Sequence, residues 1–266
     1  MASPKSAHRL HETLQRFDIT VADVDDVLPL KDYKIVIIAD DSGSMQNSSF
    51  PEHIKHVAAY DRTAPQTRWA EMQQAIEEIV EVSACLKQED GVDVYFLNRQ
   101  PVFGVTSASD PRLQAEFDQR PIGGTPLTEA VQRFSKTLDP NEETLLLIFT
   151  DGEPNFGRKP FREALERLVR WHRVHVQILA CTTDEGVVEW LSALDGQMSS
   201  VDVSDDFLDE RREVIYAGLA PKYTRGDWCA KALLCPVSDK FASWNSVLHH
   251  RFPMTPLCDW SPCQIM

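Results

Sequence analysis

The sequence predicts an α/β protein: a three-layer, doubly wound, mostly parallel sheet with one antiparallel edge strand. Three observations carry that expectation. The stretch Lys34-Ile35-Val36-Ile37-Ile38-Ala39 is an uninterrupted apolar run rich in β-branched residues, and Leu145-Leu146-Leu147-Ile148-Phe149 is a second one. A strand covered on both faces reads this way, whereas a strand with one wet face alternates. Strand-like runs also alternate along the chain with longer segments whose apolar residues recur at helical spacing, the pattern of β-α-β units.

Taken in order, residues 1–30 form an N-terminal extension. Leu10, Leu14 and Phe17 lie at helical spacing and are expected to cover a sheet edge, before an acidic stretch from Asp23 to Asp26. The first strand follows, then a polar loop from Gln46 to Thr67. Trp69, Met72, Ile76, Ile79, Val80 and Ser83 share one face of a long helix, read as core packing. Gly91 ends that pattern, and 92–97 reads as a strand. Residues 101–105 make the antiparallel edge strand, where Pro101 is tolerated. Asp110-Pro111 opens a short helix to Phe117, with Pro at an early helical position.

After Gly123-Gly124, a helix from Pro126 is expected to bury Leu127, Ala130, Val131, Phe134 and Leu138. Residues 144–150 form the second central strand. A helix carrying Phe161, Ala164, Leu165, Leu168 and Val169 leads to a strand at 174–180. Val187, Val188, Trp190, Leu191 and Leu194 mark the next helix, before a short strand at 201–203 and a helix over 207–216. The main domain is thus set at 31–217. Residues 218–251 hold two short amphipathic pieces, too little for a separate domain, and are expected to pack back on the sheet layer. The Pro-rich, aperiodic residues 252–266 read as a flexible tail.

Composition bounds the function. The 266 residues carry 27 basic and 41 acidic side chains, a formal charge of −14, with 42% apolar and 26% charged residues. That balance is ordinary for a soluble domain and unfavourable for nucleic-acid or anionic-membrane partners. No apolar leader and no run long enough to span a bilayer is apparent. Of the six cysteines, Cys85 and Cys181 read as small core residues. Cys229, Cys235, Cys258 and Cys263 lack zinc-knuckle spacing. A reducing, cytoplasmic setting follows most simply.

Chemistry is expected where the buried strands end, because ligands of open α/β sheets sit outside the carboxyl ends of the strands. There the chain reads Asp40-Asp41-Ser42-Gly43-Ser44 after the first strand and Thr150-Asp151-Gly152-Glu153 after the second. Carboxylates and hydroxyls without His or Cys suit a hard cation, Mg2+ or Mn2+, rather than zinc. Asp41 reads as a loop acid or a hydrogen-bond acceptor behind the ion. Glu153 stands where it could tune partner choice.

The spacing Asp40-x-Ser42-x-Ser44, followed by Thr125 in Ile122-Gly123-Gly124-Thr125-Pro126 and by Asp151, resembles the metal-ion-dependent adhesion site (MIDAS) of von Willebrand factor type A (VWA) domains. The resemblance implies a Rossmann-like VWA fold. It implies a metal site of Asp40, Ser42, Ser44, Thr125 and Asp151, with the two carboxylates acting largely through bound waters. It also implies a protein partner whose acidic residue completes the coordination of the ion, and no catalysis.

Two other readings stand beside this one. The first is a scaffold whose metal site is non-exchanging or empty. The second is a magnesium-dependent hydrolase with Asp40 as nucleophile. A phosphatase of that type needs a second Asp two residues on as general acid, and Ser42 occupies the position. Separately, Cys263-Gln264-Ile265-Met266 fits a prenylation box that favours farnesyl, and Cys258 could take a palmitoyl chain as the second anchor. That pair would tether the module to a membrane it does not span.

Overall fold

Burial on both sides of the central strands organises the computed structural model, which describes residues 4–49, 67–86, 90–195, 197, 198 and 200–251. Its strands are β1 (Lys34–Ala39), β2 (Val92–Phe96), β3 (Val102–Val105), β4 (Thr144–Thr150), β5 (Val174–Ala180) and β6 (Val201–Ser204). They form one sheet in the order β3-β2-β1-β4-β5-β6. Every neighbouring pair is parallel except β2 with β3. The expected three-layer α/β class with an antiparallel edge strand is therefore the one found.

The apolar runs divide between two cores by strand alternation. Ile35, Ile37 and Ala39 of β1, with Leu145, Leu147 and Phe149 of β4, face one core. Val36 and Ile38, with Leu146 and Ile148, face the other. Emptying one of these positions, as in Leu147→Ala, would cost about 2–5 kcal/mol in transfer and cavity energy.

The helices follow the same division. The first face is covered by α1 (Pro4–Arg16), α2 (Val24–Val27), α3 (Arg68–Leu86), α4 (Pro111–Phe117), α8 (Phe207–Tyr216), α9 (Arg225–Leu234) and α10 (Asp239–Arg251). The second is covered by α5 (Leu127–Ser135), α6 (Arg158–Trp171) and α7 (Glu185–Asp195). No helix among the described residues is long and apolar enough to cross a membrane.

Three details differ from, or add to, the sequence expectations. First, α1 packs on α3 rather than on a sheet edge. Its apolar stripe, Leu10 and Leu14, is buried there, the Thr13 hydroxyl lies 3.3 Å from Cys85 Sγ, and Arg16 pairs with Glu81 at 3.1 Å. Second, α5 ends at Ser135, so Leu138 packs from beyond the helix. Third, α9 is buried along its length from Gly226 to Leu234, touching α3, α8, β4 and β5. The tail 252–266, with both lipidation candidates Cys258 and Cys263, lies outside the described residues, as do residues 50–66 of the long polar loop.

One carboxylate fastens the N-terminal extension to α9. Asp227 accepts hydrogen bonds from the Val21 amide at 2.9 Å, the Thr20 hydroxyl at 3.0 Å and the Thr224 amide at 2.8 Å. Its neighbour Gly226 faces the Phe17 carbonyl so closely that an added Cβ would lie 2.1 Å from that oxygen. Any side chain there would force the two segments apart.

Beneath α9 lies a buried ion pair. Lys231 Nζ, with no exposed surface, is 2.6 Å from Glu210 Oε1 and 3.1 Å from Ser204 Oγ, while the Tyr223 hydroxyl donates to the same Glu210 oxygen at 3.2 Å. Burial alone would lower the lysine pKa, but the Glu210 charge outweighs it and the ammonium is held above its ordinary value.

Lys231→Ala is expected to destabilise the protein by about 3–5 kcal/mol in urea unfolding, because it strands the Glu210 charge. The double replacement Lys231→Met with Glu210→Leu should cost less than the single one.

A second outcome concerns pH. Burial first, then the charges of Asp205 and Glu210, push Glu213 up to about 8 from 4.5. The folded carboxyl keeps a proton that the unfolded chain has released, so this group's contribution to stability falls as pH rises from about 4.5 to about 8. Glu213→Gln is expected to leave stability unchanged near pH 4. At pH 8 it should add about 1 kcal/mol, a value discounted for partial exposure.

Candidate metal centre

The sheet order places β1 and β4 side by side, with the chain winding outward in opposite directions from them. This is the topological switch point, where the loops after adjacent strands part and leave a crevice. Asp40 follows β1 and Asp151 follows β4, with Ala39 opposite Phe149 in the ladder and the Asp40 amide bonded to the Phe149 carbonyl at 3.1 Å. Parallel pairing in register therefore delivers both carboxylates to the same point.

Four of the five sequence-derived positions join one hydrogen-bonded cluster. Asp40 Oδ1 accepts from the Ser42 amide at 2.9 Å, and its Oδ2 accepts from the Thr150 hydroxyl at 2.7 Å. The hydroxyls of Ser42 and Ser44 are 3.0 Å apart, and that of Ser44 donates to Asp151 Oδ1 at 2.7 Å. Ser42 is extended before a tight 3-10 turn over Gly43–Gln46, and buried Met45 pins the turn to the core.

Thr125 enters through its surroundings. Its hydroxyl lies 3.7 Å from where a Cβ on Gly152 would stand, next to Asp151. The loop that carries it is fixed by the Gly43 amide donating to the Gly123 carbonyl at 3.1 Å.

Two asparagines that the sequence reading did not single out shape that loop. The Asn155 side chain accepts from the Thr125 amide at 2.8 Å, and Asn98 Nδ2 donates to the Gly124 carbonyl at 2.9 Å. Gly123 has φ +108°, and a Cβ there would lie 2.6 Å from Asn98 Oδ1. A Cβ on Gly124 would lie 2.7 Å from Asn155 Nδ2. The glycines thus let polar side chains grip the backbone directly.

Asp41 takes the second of its two sequence readings. It is buried and accepts from the Asn98 amide at 2.8 Å and Asn98 Nδ2 at 3.0 Å, with Arg99 Nε 3.3 Å from its other oxygen. Glu153 is exposed and pairs with Arg158.

The residues present fit a hard divalent cation. The donors are carboxylate and hydroxyl oxygens only, the set that suits a hard ion, although among the described residues no group of three or more His, Cys, Asp or Glu side chains could hold a metal. Asp40 is wholly buried beside a second carboxylate; burial first, then the Asp151 charge, push it up to about 6, against hydrogen bonds from Ser42 and Thr150. A site that penalises its own negative charge this way is stabilised by an added cation. Asp40, Ser42, Ser44, Thr125 and Asp151 are the side chains that would hold it, directly or through water.

Arg68 is a further charged neighbour that the sequence reading did not name. Its Nη1 lies 2.7 Å from Asp151 Oδ2. Its own amide donates to the Asn47 carbonyl at 3.0 Å, which fixes the start of α3 beside the first loop.

No family model matches the chain, and no curated protein matches it. Solved structures similar to it include proximal thread matrix protein 1 from the mussel byssus, at 16% identity over 67% of this chain and 45% of that one, with a TM-score of 0.43. A further structure of that protein, with a zinc-occupied MIDAS motif, has the same values. A von Willebrand factor type A from Catenulispora acidiphila matches at 14% identity over 76% of this chain and 43% of that one, with a TM-score of 0.43. A variant of the PilB minor pilin from Streptococcus sanguinis matches at 9% identity over 84% and 64%, with a TM-score of 0.45. The chain spans less than half the length of the first of these proteins.

Asp41→Ala is expected to cost about 1–3 kcal/mol in urea unfolding, because it leaves the Asn98 amide without its acceptor and removes one of the two carboxylates beside Arg99, which keeps Glu116.

Proposed function

We propose that the chain is a protein-binding module that works through a divalent cation, Mg2+ or Mn2+, at the switch point of its sheet. The observation that carries this is the convergence of Asp40, Ser42, Ser44 and Asp151 in one hydrogen-bonded cluster after two adjacent buried strands. Hydroxyl donors add no negative charge of their own, and a bound cation supplies electrostatic attraction for an outside anion. A carboxylate on a partner protein is the ligand proposed. This chain's own residues orient the donors, with Asn98 and Asn155 holding the Thr125 loop and Thr150 and Ser42 holding Asp40.

Binding is preferred over turnover because of how Asp40 is held. Both of its oxygens accept hydrogen bonds within the protein, and the side chain has no exposed surface. A nucleophile must reach its substrate, and the hydrolase reading also needs a general acid where Ser42 stands. The second reading is a scaffold with no exchanging metal. The Arg68–Asp151 pair favours it, because a fixed positive charge already stands at the site.

Calorimetry on the full chain is expected to show one magnesium or manganese ion bound at millimolar ion. Asp40→Ala should abolish that heat without unfolding the domain. Partner capture should then be lost on adding chelator and in Thr125→Ala. A wild-type chain that takes up neither ion would favour the scaffold, and so would a partner that binds equally well in chelator.

A further inference from the structure

The candidate site holds a cation of its own. Arg68 Nη1 is 2.7 Å from Asp151 Oδ2; the Asp151 side chain has no exposed surface, and that of Arg68 is 17% exposed. Ser44 occupies Asp151 Oδ1, so both oxygens of this carboxylate are engaged. Arg68 Nε is buried without a hydrogen-bond partner, so the guanidinium keeps a donor to spare. The nearby acid Glu71 has its direct ion pair with Arg225 at 2.6 Å, and the Arg68 charge acts on it only from further off. The local balance of Asp40, Asp151 and Arg68 is thus a single negative charge, where two carboxylates alone would offer a divalent ion two.

We propose, on the metal-binding reading given above, that Arg68 is the resident counter-cation of this site. It holds Asp151 when no divalent ion is bound and competes with the ion for that carboxylate. Ion and guanidinium then share one anionic partner, and their occupancies are coupled with opposite sign. Coupling of this kind is reciprocal: whatever the guanidinium gains from Asp151, an incoming ion must overcome. The pair keeps the empty site folded and sets its ion affinity lower than the donor set alone would give. An ordinary structural ion pair would behave otherwise, because removing it would loosen the site and weaken metal binding.

The test is a manganese titration by calorimetry on full-length wild type and Arg68→Gln, alongside thermal melts of both in chelator. The expected result is tighter manganese binding in Arg68→Gln, on the order of tenfold, with a lower melting temperature in chelator. Equal or weaker binding in Arg68→Gln, while wild type binds, would overturn the proposal and leave the metal site standing. Absence of manganese binding in both proteins would remove the metal reading itself, and this proposal with it. Binding in Arg68→Gln alone would support the proposal.

Wild type carries a second readout should Arg68→Gln not fold. In 15N NMR spectra, the Arg68 Nε–H signal, assigned with Arg68→Lys, is expected to shift with magnesium at the midpoint of ion binding. An unmoved signal under saturating magnesium would overturn the proposal.

Discussion

Two carboxylates buried side by side are the constraint around which the upper edge of this sheet is arranged. Asp40 and Asp151 leave adjacent parallel strands, and both are almost fully removed from water. Burying charge without compensation costs several kcal/mol per ion, so the surroundings must answer it. The observed answers are graded. Main-chain and hydroxyl donors from Ser42, Ser44 and Thr150 satisfy the oxygens, and Arg68 supplies a full charge on one side. Glycines and asparagines in the neighbouring loops let backbone and side chains close in without obstruction.

The same sheet solves a second burial problem in a different way. Lys231 and Glu210 lie wholly inside the layer formed by α8, α9 and β6, and they neutralise one another directly. That pair works as an internal fastening. The contrast is useful. Where opposite charges meet in pairs, the structure is closed; where two like charges meet, it has a demand left over. Arg68 partly meets that demand, and the hydroxyls are placed to receive the rest.

Much of this was legible in the sequence because periodicity and burial follow simple geometry. The unbroken runs at Lys34–Ala39 and Leu145–Thr150 became the two central strands, and Asp110-Pro111 opened its short helix as capping chemistry dictates. The candidate donors were readable because a strand end fixes where the next few residues point. Arg68 was not legible: it is separated from Asp151 by most of the β-α-β path, and only the folded sheet brings them together. Asn98 and Asn155 escaped for the same reason, since their partners are loop amides and carbonyls rather than residues in a motif. The place of α1 is not legible either, because an amphipathic stripe says that a face is buried without saying against what. The degree to which α9 enters the core was hidden by its polar members, Asp227 and Lys231, which are buried with partners supplied from far along the chain.

The linkage made by Asp227 bears on how this chain can be divided. Residues 1–30 and 218–251 look like separable flanks in a linear reading, yet a single carboxylate accepts hydrogen bonds from Thr20, Val21 and Thr224, and Gly226 lets the backbone of residue 17 press against α9. The two flanks form one clasp closing over α3, on the face of the sheet that also carries Arg68. Trimming either flank would leave the other with an unpaired buried carboxylate or unpaired amides. The smallest piece that can be expected to hold the candidate site in shape is therefore not the stretch between the flanks, but the ring that they complete.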